Sequence, residues 1–189
     1  IGFFFSPGLF EFTKANDENL ELEKITIEDQ AGRNVQIPRQ IEKIVATGPG
    51  ALRYIAYLGS ADKVVGVERI EKDYAKSLPY NIGNPNLRDL PSIGPPFGGE
   101  PELIRKADPD IIFWSLASSG QANDLQIKTG IPVIVVKGGM SSNDFWKDDN
   151  SFYNTLRLVG KILNKKARAK ELIKFSENIF LDLERRTEN

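Results

Sequence analysis

Four apolar runs punctuate the chain between residues 44 and 136: Ile44-Val45-Ala46, Val64 to Val67, Asp110 to Trp114 and Ile131 to Val136. A strand with one wet face alternates polar and apolar residues with a period of two. Runs apolar throughout belong to strands covered on both faces, and such strands build mostly parallel sheets. Helix-period segments fall between them. Leu52, Ile55, Ala56 and Leu58 mark one stripe that Gly59 stops, Glu102 to Lys106 a short turn of helix, and Gln121 to Thr129 another helix. This order predicts an α/β fold: a Rossmann-like, mostly parallel sheet with flanking helices. Ahead of it, Ile25-Thr26-Ile27 and Val35/Ile37 do alternate. With the turn Asp29 to Gly32 between them and Pro38 after, they read as a hairpin.

Beyond Lys137 the pattern changes. Asn150 or Ser151 caps a helix running to Leu163, Asn164 breaks it, and a long helix follows from about Lys165 to Arg186. Its stripe is Leu172, Ser176, Ile179 and Leu183, widened by Ile173 and Phe180. Such a helix is about 33 Å long, enough to cross a small domain. It needs a partner beyond the unit before it, so that stripe is expected to be partly exposed and prone to self-association. The chain therefore divides into an N-terminal arm (1–24), an α/β ligand-binding lobe (25–149) and a helix pair (150–189). The last helix is expected to lead toward a second lobe that this sequence does not contain, and to which half of a ligand site would belong. In the arm, Ile1 to Phe12 is apolar and Thr13-Lys14-Ala15 ends small. An export-signal remnant and an exposed or strand-forming arm both fit it.

Composition excludes several chemistries. The sequence has no His and no Cys. Imidazole metal sites and acid–base catalysis, thiolate nucleophiles, zinc ribbons and disulfides are all removed. A net charge of −1 gives no basic excess for nucleic acid. Lys165, Lys166, Arg168 and Lys170 cluster, but Glu171, Glu177, Asp182 and Glu184 share their helix, which is the pattern of a solvated face. No GxSxG, Ser-x-x-Lys or Asp-rich metal loop is present, and no catalytic residue is assigned. A non-enzymatic protein is expected.

Several pieces in order carry a family resemblance. They are Lys43 to Pro49 leading into Leu52–Gly59 (LRYIAYLG), Asp62 to Val67 (DKVVGV), and Ser92-Ile93-Gly94 with Glu100 to Ile104, Ala107 and Asp108 to Ile112. Leu158 to Lys161 and Lys165-Lys166-Ala167 follow. Together they resemble the N-terminal lobe and spanning helix of the substrate-binding proteins of iron–siderophore, haem and cobalamin ABC importers. The resemblance covers roughly residues 25–186. A second lobe and a lipidation Cys are missing from it, and the Asn- and Pro-rich stretch 78–101 is not dictated by the family.

The resemblance implies a cleft between two lobes joined by a rigid helix. It implies an extracytoplasmic place, periplasmic or at the cell surface, and an ABC permease at the membrane as partner. The ligand is then a small-molecule metal chelate, with a ferric siderophore first and haem or a corrinoid as alternatives. A non-catalytic sensor lobe is a further alternative. Because histidine is lacking, the metal would arrive chelated rather than as a free ion, and no resident cofactor is expected.

Ligand contacts are expected on loops at the C-terminal ends of the strands, where open α/β sheets bind. Thr47, Gly48 and Pro49 start a helix whose N–H groups suit an anionic oxygen, or simply form a strand–helix turn. Arg69 pairs either with an anionic chelate oxygen or with Glu68 or Glu71. Trp114 and Ser115 end a strand at the cleft edge, the indole lining the cleft or packing under a helix. Phe97, between Pro96 and Gly98-Gly99, and Trp146, beside Phe145, complete the candidates. Glu102 matches the acidic residue that in the family docks a permease arginine. Its plain alternative is a first-turn carboxylate facing the helix dipole.

Overall fold

The computed structural model describes residues 24–137 and 151–187. The expectations for residues 1–23, for Phe145 and for Trp146 lie outside these. Strands β1 (Lys24–Glu28) and β2 (Asn34–Pro38) form the expected hairpin, with Ile25 opposite Ile37 and Ile27 opposite Val35. Ile27, Val35 and Ile37 point into the core while Thr26 and Gln36 face solvent.

Strands β3 (Ile44–Thr47), β4 (Val64–Gly66), β5 (Ile111–Ser115) and β6 (Val133–Val136) make one parallel sheet in the order β4-β3-β5-β6. Val45, Ile112, Trp114, Val133 and Val135 enter one apolar core, and Ile44, Ala46, Ile111, Phe113, Ile134 and Val136 the other. Successive residues thus feed opposite faces and both faces are dry, which is why the runs do not alternate. Helices α1 (Ala51–Tyr57), α6 (Ser151–Ile162) and α7 (Lys166–Thr187) contribute Leu52, Ile55, Leu156, Val159 and Ile173 to one core. Helices α4 (Pro101–Ala107) and α5 (Ser119–Thr129) supply Ile104, Ala122 and Leu125 to the other. Helix α5 starts before the expected Gln121 because Ser118 and Gln121 close a capping box.

Strand β6 sits at a sheet edge, where unpaired backbone groups would be a liability. The hairpin turn covers part of that edge: Gln30 N–H donates to Val135 O (3.1 Å), and Val135 N–H donates to Asp29 Oδ2 (3.0 Å). Asp29 is held in turn by Arg33 at 2.7 Å, both side chains being almost fully buried.

The segment after β4 is more ordered than its composition predicts. Short helices α2 (Arg69–Asp73) and α3 (Pro79–Ile82) and a 3-10 turn (Pro85–Asp89) pack there. At the other end, Asn164 (φ 55°) breaks α6 from α7 as expected. Helix α7 buries Ala169 and Ile173, whereas Phe175, Ile179, Leu181 and Leu183 remain exposed.

Candidate ligand-binding site

The sheet order reverses between β3 and β5, and the loops beyond the C-terminal strand ends there are bound together by one carboxylate. Thr47 ends β3, fully buried. The chain leaves through Gly48 (φ 81°), where an added Cβ would sit 2.6 Å from Ser115 O, so only glycine fits. Ser115 Oγ donates to Pro49 O (2.7 Å), pinning this turn to the end of β5. Glu68 is 3% exposed. Its Oε1 accepts from the Thr47 hydroxyl, from Gly48 N–H (3.0 Å) and from Phe97 N–H (2.8 Å). Thr47 Oγ1 accepts from Gly98 N–H (2.8 Å), so loop 97–98 is fastened to β3 as well.

These fastenings frame a cavity of about 220 Å³ lined by Pro49, Glu68, Glu71, Tyr74, Tyr80 and Phe97 among others. Glu71 lies in α2 and is 6% exposed. It accepts from Tyr80 Oη (2.9 and 3.0 Å) and Asn81 Nδ2 (2.8 Å). Burial pushes the Glu71 carboxyl above its ordinary value, and the donors from Asn81 and Tyr80 oppose this only in part. The Tyr80 hydroxyl is also pushed up, by burial first and then by the Glu71 charge. Around the mouth, Ile70, Tyr74 and Phe97 are exposed. A larger hollow, about 650 Å³, is lined by α6 and α7 alone and touches none of these loops.

The structure brings Thr47, Gly48, Pro49, Ser115 and Phe97 together, in two roles. Gly48, Pro49 and Phe97 line the cavity, while Thr47 and Ser115 brace it from behind. The Gly48 N–H expected to meet a ligand oxygen is already taken by Glu68. Trp114 is only 8% exposed and lies beneath loop 97–99. It therefore supports that loop, while sharing the core that Ile104, Ala122 and Leu125 of α4 and α5 also enter. Arg69 is exposed at the start of α2 and forms no ion pair with Glu68 or Glu71 among the described residues. Both carboxylates instead accept from neutral donors, Glu68 through Oε1 alone. Glu102 stands in the first turn of α4, mostly exposed, and pairs with Arg105 at 2.7 Å. Sequence reasoning missed Glu68 and Glu71 as cavity groups. Their signal was two acids three apart directly after a buried strand, one at the extended residue before α2 and one in its first turn.

This fold and strand-end cavity belong to a known class of protein. The chain is a member of the periplasmic binding protein family, whose model matches residues 44–189. It is 23% identical over 170 residues to the ABC transporter substrate-binding lipoprotein YvrC of Bacillus subtilis, covering 88% of this chain and 48% of that one. Among solved structures, it resembles a periplasmic solute-binding protein from Veillonella parvula, with a TM-score of 0.70 and 22% identity over 86% of this chain and 47% of that one. It also resembles the petrobactin-binding protein YclQ of Bacillus subtilis, with a TM-score of 0.68 and 22% identity over 88% of this chain and 54% of that one. The chain thus spans about half the length of these relatives. Among the described residues no helix is long and apolar enough to cross a membrane.

Proposed function

We propose that this chain is the ligand-capturing lobe of an extracytoplasmic solute-binding protein that delivers a chelated metal to an ABC importer. A ferric siderophore is the leading cargo, and the chain performs no chemistry on it. The observation that carries this reading is the cavity beyond β3 and β4 with its exposed rim of Ile70, Tyr74 and Phe97. Apolar groups gathered around a concavity mark a binding surface, and rigid rings suit the flat faces of a chelate. At about 220 Å³ the cavity is smaller than the roughly 300–1,000 Å³ of a complete ligand pocket, so it takes one portion of the cargo. The remaining contacts come from outside the described residues. A structural neighbour from Vibrio cholerae, a catecholate-siderophore binding protein, supports the cargo class. On the family resemblance, Glu102 meets the permease.

The test is titration of the full-length protein with a ferric catecholate, a ferric hydroxamate, haem and cobalamin, read by quenching of intrinsic fluorescence. A ferric siderophore is expected to bind about 100-fold more tightly than haem or cobalamin, a gap of about 2.7 kcal/mol. The reverse order would replace the cargo by haem or a corrinoid. Binding of none of the four would sink the chelate reading.

A further inference from the structure

The cavity's polarity carries a more specific inference, which rests on the reading of this cavity as the ligand site. All the hydrogen bonds that Glu68 accepts fall on one oxygen, Oε1. Its other oxygen, Oε2, accepts none among the described residues, although Glu68 is 3% exposed and lines the cavity. An ionised carboxylate only accepts, and Oε2 is not among the fully buried unpaired atoms, so it keeps access to the cavity and is open to a donor that enters there. Glu71 adds a second buried carboxylate to the same wall, already supplied with donors by Tyr80 and Asn81. Among the described residues, no Lys or Arg lines the cavity. Of the nearest guanidiniums, Arg69 is exposed on α2, and Arg53 lies against Gly50, near enough for its charge to act on Tyr80, yet neither forms an ion pair with Glu68 or Glu71 among the described residues. Tyr74, Tyr80 and Phe97 line the remaining walls. A carboxylate flanked by aromatic rings is the chemistry that holds an organic cation.

We propose that this cavity receives a cationic end of the ligand, a protonated amine or guanidinium. Its N–H donates to Glu68 Oε2, and its hydrocarbon rests against Tyr74 and Phe97. The size agrees, since the space suits a single substituent better than a whole chelate. The local anion site is closed to ligand because Glu68 itself occupies the Gly48 and Phe97 amides.

The experiment uses the full-length protein and two small probes of equal size and opposite charge, benzylammonium and phenylacetate, at constant ionic strength. Amide shifts of Gly48 and Phe97 are followed by NMR. Benzylammonium is expected to shift both amides saturably, with phenylacetate at least tenfold weaker. Glu68→Gln keeps Oε1 for its donors and replaces the Oε2 acceptor with an N–H donor. It should therefore leave the spectrum otherwise intact and weaken benzylammonium binding at least tenfold. Phe97→Ala, at an exposed position, should weaken it several-fold without unfolding the chain. Equal response to both probes, response to neither, or unchanged benzylammonium binding by Glu68→Gln overturns the proposal. Tight chelate binding without an ammonium response overturns it alone. An ammonium response without chelate binding keeps it and overturns the metal-chelate cargo.

Discussion

Replacing Asp29 by Ala tests how the hairpin holds the sheet edge. The Asp29 side chain is fully buried and its carboxylate accepts from Ala31 N–H, Arg33 N–H, the Arg33 guanidinium and Val135 N–H, at 2.7–3.0 Å. Removing it strands the Arg33 charge, whose side chain is 10% exposed, and leaves the β6 amide of Val135 without its acceptor. Breaking a buried pair from one side costs about 3–5 kcal/mol. Arg33 keeps Val133 O and Asn123 Oδ1, so the lower end applies, about 3 kcal/mol. For a domain of this size that lowers Tm by about 6–12 °C. Urea and thermal unfolding measure it directly. Because the charge is stranded rather than merely lost, Asp29→Leu with Arg33→Met together should cost less than Asp29→Ala alone, although the Ala31, Arg33 and Val135 amides lose their acceptor in both. A loss under about 1 kcal/mol for Asp29→Ala, or a double variant worse than the single, would refute the reasoning.

Three further outcomes follow from the site. Gly98 has φ 128°, and a Cβ there would stand 2.8 Å from the Trp114 ring, so Gly98→Ala should lift loop 97–99 and destabilise by about 1–3 kcal/mol. Ligand titration beside urea unfolding should show affinity falling with it; an unchanged variant would mean the loop is not seated on the indole. Burial holds the Glu71 carboxyl above 4.5, so the folded chain keeps a proton that the unfolded chain sheds. The stability this gives is full below the unfolded value and is lost as pH rises through the native one. Glu71→Gln, which never ionises, should flatten that decline in urea melts across the window, and a curve parallel to wild type would contradict the assignment. Glu102→Ala removes only an exposed pair with Arg105, so stability and ligand affinity should hold within about 0.5 kcal/mol while uptake falls. Normal uptake in transport assays would remove Glu102 from docking.

The sheet was legible because burial on both faces leaves an unmistakable mark, as in Ile111 to Trp114, where every side chain meets apolar neighbours. The cavity was legible only in outline. Strand ends placed Thr47, Gly48 and Phe97 near one another, but nothing local to Glu68 says that its carboxylate turns inward. That follows from donors 20 and 29 residues away, assembled only when the loops fold. Trp114 shows the same limit. A strand-end indole suggests a cleft wall, yet loop 97–99 crosses it, and the glycine at 98 was the trace of that crossing because only a bare backbone approaches a ring so closely. The largest difference is one of sign. Free amides at the Gly48 turn and a guanidinium at Arg69 argued for an anionic ligand. Once Glu68 fills the amides and Arg69 stands outside the lining, the same loops present an unpaired acceptor, and the cavity selects for positive charge.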